Sequence, residues 1–389
     1  MPQLLLPAHF RSKPYAARQL TQIADWAASS HPFYQQKYHN LTGTLPLLKR
    51  AEILANNDLL LAGNPETGRT SGSTGIPVRF SWSQQRQQIS QQENVLYIKK
   101  WLGGALPRTK IVRVKGAIDE ETVDIGTPVG QQIHALQQRH RDAGAVSIIT
   151  YPTNAAELAQ QVIDEQINMD FIKRFSCYAE AFEPWQEQLV ATAFPNAQIY
   201  TTYSATELGM IAARCPHEPD YHHIFARKLA VEILDEKDQP CPPGELGRVI
   251  VTDFFNYNSP FIRYDIGDMA AAANCPCGII KLPALSHIAG KVRGLLRDAN
   301  GNRVMFSHLD AALRDVPGMG QFQVIQHALQ QFELRFVAAA SYHQPSFESA
   351  ARALFVAQFG HDVMVNFTPE QQIERGANGK FYASICNID

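Results

Sequence analysis

Four hydroxyl residues and two glycines fill six consecutive positions, Thr70-Ser71-Gly72-Ser73-Thr74-Gly75, and Ile76-Pro77 follow. Glycine leaves backbone N–H groups accessible, and Ser or Thr hydroxyls can donate to phosphate oxygens. The stretch is therefore either an anion cradle or an ordinary Ser/Gly loop. It is not the common P-loop, because no Gly-Lys-Ser/Thr closes it. A second stretch, Tyr203-Ser204-Ala205-Thr206-Glu207-Leu208-Gly209, directly follows a strand-like run ending at Thr202. Ligand groups gather beyond the carboxyl ends of parallel strands, so Glu207 is placed to hold Mg²⁺ and Tyr203 to stack on a base. The alternative is a plain strand exit. Residues 260–268 (PFIRYDIGD) end in a carboxylate after a glycine turn, a shape suited to ribose hydroxyls, while Arg263 and Asp265 can pair at the surface. Residues 374–381 (ERGANGKF) set Lys380 on a glycine-bearing turn before an apolar strand.

Cysteine supplies a further constellation. Cys275 and Cys277 lie one residue apart in a Pro-Gly turn, and Cys215, His217, His222 and His223 lie upstream. Thiolates at that spacing suit a tetrahedral metal; reduced thiols and imidazoles in loops are the alternative.

The elements that must position these groups can be read from periodicity. Residues 1–60 read as helices broken at Pro32 and Pro46, and residues 83–101 as a Gln-rich helix. Residues 110–114, 146–150 and 197–202 read as short buried strands, with a helix over 154–167 carrying Leu158, Val162, Ile163 and Ile167. That alternation predicts an α/β unit with a largely parallel sheet. After Ile224 the pattern becomes hairpin-like, with strands at 229–234 and 247–252. A hairpin at 295–304, a helix from Ser307, strands at 322–325 and 332–337, a helix at 347–359 and a polar tail complete the chain. The expected organisation is a large N-terminal unit, 1–289, with a β-rich subregion, and a small α+β C-terminal unit, 290–389.

At 389 residues the chain is too long for one ordinary core. A formal charge of -2 gives no electrostatic reason to expect nucleic acid or an anionic membrane, and no apolar run approaches the roughly 20 residues of a membrane helix. The N-terminus lacks the features of a signal peptide, and six clustered cysteines point to a reducing compartment, so the expectation is cytoplasmic.

In this order the four stretches resemble the adenylate-forming (AMP-forming) superfamily of acyl-CoA synthetases, luciferases and peptide-synthetase adenylation domains. TSGSTGIP is similar to its phosphate loop, YSATE to its Mg²⁺/adenine motif, RYDIGD to its ribose motif and NGK to its mobile lysine. HPFY at 31–34 and LPLLK at 45–49 resemble the short phenylacetate-CoA ligase-like branch, which includes capsule-biosynthesis-type proteins.

The resemblance implies a large adenylating domain and a small mobile one. ATP phosphates would be gripped by Thr70, Ser71, Gly72, Ser73, Thr74 and Gly75, with Thr206 beside them and Glu207 on magnesium. Tyr203 and Ser204 would flank adenine, with Ala179-Glu180 the second candidate, Asp268 would hold ribose, and Lys380 would reach the carboxylate and α-phosphate. Lys291 stands where relatives carry the hinge arginine, Ser204 where they carry glycine, and the hinge aspartate is absent. The branch often has Cys, His and Cys-x-Cys in these positions, implying a structural Zn²⁺ on Cys215, His223, Cys275 and Cys277, with His217 or His222 as substitutes. The implied activity is ATP-Mg activation of a carboxylic acid, aromatic or arylacetic by family weight, and passage of the acyl group to CoA. An amine or carrier protein as acceptor, and a non-catalytic nucleotide binder, are the alternatives. The partners implied are small molecules, neither nucleic acid nor membrane, with a homodimer as the assembly considered.

Overall fold

The computed structural model describes residues 3–70, 76–114, 119–180, 182–291, 296–304, 306–376 and 379–388. Arg108–Val112, Thr122–Asp124, Val146–Thr150, Ile172–Tyr178 and Gln198–Ala205 are parallel neighbours at one end of an eleven-stranded sheet. Their Val-, Ile- and Thr-rich runs suit strands covered on both faces. Helices Val129–Ala143, Pro152–Asp164 and Pro184–Ala193 connect them and bury Leu136, Leu158, Val162 and Val190 in one core with Ile148 and Phe175. Each such side chain contributes about 1.5–3 kcal/mol.

The same sheet then turns antiparallel. Gly209–Arg214 folds back on Gln198–Ala205, and His222–Ile224, Leu229–Leu234, Leu246–Asp253, Tyr264–Ala273 and Ala284–Lys291 continue it. The β-rich subregion is thus continuous with the parallel strands rather than a separate layer. Helices Pro14–Ser30 and Pro32–Lys37, broken at Pro32 as expected, pack Leu20, Ile23, Phe33 and Tyr34 into a second core with Phe261 and Ile262. The Tyr34 hydroxyl donates to the Pro260 carbonyl at 2.8 Å, tying the N-terminus to the 260–268 segment.

The large sheet ends at Lys291, and a four-stranded sheet follows in the order Met364–Glu370, Gln331–Ala338, Met319–Ala328, Ser384–Cys386. Helices Ser307–Arg314 and Gln344–Phe359 accompany it, and Leu309, Leu313, Phe347 and Phe355 share its core. The expected polar tail therefore contains the strand Met364–Glu370, and the apolar strand expected at residues 381–383 begins instead at Ser384; both run parallel to their neighbours. Val363, Val365 and Phe367 alternate toward this core, a short period-2 signal that the exposed, apolar Met364 obscures. The two sheets are joined by side chains: the Trp185 indole N–H donates to Asp310 at 3.0 Å, and Arg314 stacks 3.5 Å over the Trp185 ring. Among the described residues no helix is long and apolar enough to cross a membrane.

Candidate active site

Because the five strands from Arg108 to Ala205 run parallel, the segments leaving their carboxyl ends share one edge of the sheet. Tyr151–Asn154, Ala179-Glu180 and Thr206-Glu207-Leu208 are three such exits, on adjacent strands. Thr206 is exposed at its turn, whereas Glu207 is only 6% exposed.

That turn is held from behind. The Trp82 indole N–H donates to the Glu207 carbonyl at 2.8 Å. The fully buried Arg86 guanidinium donates to the Leu208 carbonyl, the Ser90 hydroxyl and Asp253, and lies 4.8 Å over the Trp82 ring. Gly209 makes the tight return possible, with a left-handed φ of 65° and Trp82 and Arg86 atoms 3.4 Å from where a Cβ would stand. In front, the Tyr264 hydroxyl bonds to the Glu207 side chain and to Arg50; burial, and then the Glu207 carboxylate, push its phenol well up.

Arg50 also fixes the base of the hydroxyl-rich loop. Leu48 bridges to Tyr264, its N–H donating to the Arg263 carbonyl and its own carbonyl accepting from Asp265, both at 2.9 Å. This brings Arg50, at the start of helix Arg50–Ala55, to the Ile76 carbonyl at 2.9 Å and the Thr70 hydroxyl at 3.5 Å. Thr70 in turn bonds Val78 twice, by its N–H at 2.9 Å and by accepting at Oγ1 at 3.0 Å. Ser71, Gly72, Ser73, Thr74 and Gly75 lie outside the described residues; the residues that flank them, Thr70 and Ile76, both bond to Arg50.

Asp268 and Tyr203 are brought together. The Tyr203 hydroxyl donates to Asp268 at 2.8 Å, with 8% and 6% of the two residues exposed. Burial, and then Asp268, raise the Tyr203 phenol, which stays a donor at all ordinary pH. Ser204 precedes the turn on the same strand, half-buried, and pairs with Met210. The backbone of Lys291 faces Asp268 across two neighbouring strands. Arg263 and Asp265 do not pair with each other, which corrects the surface ion pair expected of them: Arg263 grips the buried Glu232 carboxylate at 3.0 and 2.8 Å, and Asp265 accepts from Arg248 at 2.8 Å.

Lys380 arrives from the other sheet. Gly379 donates to the Gly376 carbonyl at 2.7 Å and Gly376 to the Lys380 carbonyl at 2.8 Å, closing the turn that carries the lysine. The next residue, Phe381, donates its N–H to Glu180 at 2.7 Å, so this turn rests on the carboxyl edge of the parallel strands.

The cysteine cluster lies elsewhere. Ligand atoms of Cys215, His223, Cys275 and Cys277 all fall within 4.8 Å of one another, where the hairpin end at Cys215 meets the turn before Ala284–Lys291. His223 Nδ1 lies 3.1 Å from the Leu282 carbonyl, which leaves Nε2 facing the Cys277 sulfur at 3.7 Å. Backbone amides of Ile280 and then Ile279 draw the Cys277 thiol down to about 6, while burial and the adjacent Cys277 and Cys215 push Cys275 up to about 12. His222 turns to the Thr201 hydroxyl at 2.6 Å and His217 is exposed, so His223 is the imidazole in the cluster. The six-residue strand Gly209–Arg214 separates the cluster from Glu207, roughly 20 Å at strand rise.

Residues 296–387 match the family model of the CapK C-terminal domain, in support of the capsule-biosynthesis-type branch. No curated protein sequence matches the chain. A 2-hydroxyisobutyryl-CoA ligase in the postadenylation state, in complex with R3-HIB-AMP, is similar over 98% of this chain and 90% of its own, with a TM-score of 0.75 at 19% identity. The chain has the adenylate-forming ligase fold. Two further proteins of this fold give lower scores. ATP-bound MatB from Rhodopseudomonas palustris is 13% identical over 82% of this chain and 65% of its own, TM-score 0.58. The amide bond synthetase McbA from Marinactinospora thermotolerans is 14% identical over 79% and 66%, TM-score 0.58. The 2-hydroxyisobutyryl-CoA ligase in its thioesterification state, with 2-HIB-AMP and CoA, falls to a TM-score of 0.59 over 98% of this chain and 91% of its own at 19% identity. Sequence reading missed Arg50, Trp82, Arg86 and the Tyr264 hydroxyl; Arg50 directly follows the LPLLK stretch, the one signal available for it.

Proposed function

We propose that the chain is an ATP-dependent, AMP-forming carboxylate ligase, with 1–289 as the adenylating unit and 290–389 as the unit that delivers Lys380. The observation that carries this reading is the meeting of three sequence-distant motifs at one edge: Glu207 with Tyr264, Tyr203 with Asp268, and the Lys380 turn on Glu180. Each pairing joins chemistry needed at a different part of a nucleoside triphosphate. A carboxylate attacking an anionic phosphate is opposed by charge, so N–H donors and cations must be arranged beforehand. Ser71–Gly75, together with Thr70 and Thr206, would supply donors to the β- and γ-phosphates. Asp268, held in place by Tyr203, would accept from the ribose hydroxyls, and Lys380 would offset charge where the acid meets the α-phosphate. Glu207 fits a magnesium ligand, being a carboxylate on a rigid turn at the strand exit; the bound ion would neutralise phosphate charge. Lys291, across from Asp268, stands at the hinge between the two units.

The acceptor we propose is CoA, and the acid an aromatic or arylacetic one, consistent with Tyr151 and Tyr178 meeting edge-on at 5.4 Å beside the Lys380 turn. The cysteine cluster fits Zn²⁺ by its donor set of three sulfurs and one imidazole within reach of a single ion. Four protein ligands leave no open position, so the metal would be structural, stapling the two loops. The reading is tested by exchange of labelled pyrophosphate into ATP across a panel of acids. Exchange with at least one acid is expected; ATP binding with no exchange across a broad panel would favour a nucleotide binder.

The Trp82 contact gives a sharper expectation. Trp82→Phe keeps the ring under Arg86 and deletes the N–H that holds the Glu207 carbonyl, worth about 1 kcal/mol. Pyrophosphate exchange should fall roughly 5- to 10-fold, with a higher magnesium requirement and little change in melting temperature. An unchanged magnesium requirement would separate Trp82 from the carboxylate's function.

A further inference from the structure

We propose that Arg375 and Glu180 form a clasp that positions Lys380 for the first half-reaction; this rests on the ligase reading above. Glu180 follows strand Ile172–Tyr178, turned out of it by Ala179 at a left-handed φ of 73°. Both its carboxylate oxygens are engaged. Oε2 accepts from the Thr153 N–H at 3.1 Å and the Thr153 hydroxyl at 2.8 Å, and Oε1 accepts from the Phe381 N–H at 2.7 Å. Arg375 completes the ring. Its Nη1 donates to Thr153 Oγ1 at 2.6 Å and stands 3.8 Å from Glu180 Oε1, while Nη2 donates to Glu157 at 2.7 Å.

Arg375 and Phe381 bracket Lys380, and the turn between them is closed on itself through Gly376 and Gly379. The lysine's backbone is therefore fixed from both sides by groups beside the large sheet: Thr153 and Glu157 on helix Pro152–Asp164, and Glu180 at a strand exit. Gly379 leaves no slack, because a Cβ there would lie 2.7 Å from Arg113 Cβ and 3.3 Å from the Tyr151 ring. Burial raises the Glu180 carboxyl, and the Phe381 amide, Thr153 and Arg375 oppose that rise, so the arriving residues are what make the buried carboxylate tolerable. A carboxylate so occupied serves to dock the lysine turn, not to read adenine. Every bond between Arg375 or Phe381 and the large sheet must break before Lys380 can leave, so the clasp favours adenylation over transfer.

The test uses the full chain as wild type, Arg375→Gln, Arg375→Lys and Gly379→Ala. Hydrogen–deuterium exchange of the peptide containing Phe381 should quicken roughly 10-fold in Arg375→Gln and Gly379→Ala and recover in part in Arg375→Lys. With an acid that wild type activates, kcat for pyrophosphate exchange should fall roughly 10-fold at unchanged KM for ATP, while acyl transfer from supplied acyl-adenylate holds. Unaltered deuterium exchange in both disrupting variants overturns the clasp. So does an equal fall in both half-reactions, which marks a merely structural role. If wild type activates no acid, the ligase reading fails, and the deuterium arm still decides whether Arg375 and Glu180 hold the turn.

Discussion

Replacing Lys380 with alanine is expected to lower acyl-adenylate formation by roughly 10²- to 10³-fold, the usual loss when one preorganised charge stabiliser is deleted, about 3–4 kcal/mol. ATP affinity should change little, because Glu207 and Asp268 lie on or beside the eleven-stranded sheet and are untouched. Transfer of a supplied acyl-adenylate to its acceptor should persist, since the lysine acts at the α-phosphate and not at the acyl carbon. Single-turnover measurement of the two half-reactions checks this. A loss shared equally by both would mean that Lys380 serves folding or docking rather than charge. The turn geometry makes the variant interpretable: Gly376, Gly379 and Phe381 hold it through backbone groups that alanine leaves in place.

Replacing Cys275 or Cys277 with serine should release one equivalent of zinc per chain and destabilise the protein by about 5 kcal/mol, the range in which loss of a metal falls. For a chain of this size that corresponds to a drop in melting temperature of about 6 °C. Metal analysis by mass spectrometry and a thermal melt check it together. Wild-type protein free of zinc, or a variant that melts with wild type, would remove the metal from the account without altering the ligase reading, because the cluster stands a full strand length from Glu207. His222→Ala should keep its zinc, since that ring bonds Thr201.

What the sequence disclosed followed from how locally each signal was written. Strand Val146–Thr150 and helix Gln84–Lys100 were legible because buried β-branched runs and a helix-length polar segment with a Ser83 cap declare themselves within a few residues. The strand exit before Gly209 was legible for the same reason: a strand-like run and the glycine that ends its turn lie within a few residues of each other. Strands Ile172–Tyr178 and Met364–Glu370 were not, because Lys173 and Arg174 break the apolar run in one, and exposed Met364 and Pro369 blur a short alternation in the other. Arg174 is stabilised there by the Gly104 carbonyl at 3.1 Å and the Leu102 carbonyl, partners seventy residues away in sequence. The residues that position the site were hidden for this second reason. Arg86 reads as one more charge in a Gln-rich helix until Asp253 and Leu208 are brought to it, and Arg375 as a solvated cation until Thr153 and Glu180 are. Long-range pairing, not local composition, decides their roles. The cysteine set was intermediate: its Cys-x-Cys core is local, whereas the choice of His223 over His222 depends on which face of a strand each ring takes.

The central claim is that an acid's carboxylate oxygen attacks the α-phosphorus of ATP. It is tested most directly by supplying an activated acid with both carboxyl oxygens as ¹⁸O, together with ATP, magnesium and acceptor, and weighing the AMP produced. The account predicts AMP carrying one ¹⁸O, left behind when the acceptor takes the acyl group. Unlabelled AMP, or label appearing instead in inorganic phosphate beside ADP, would contradict it.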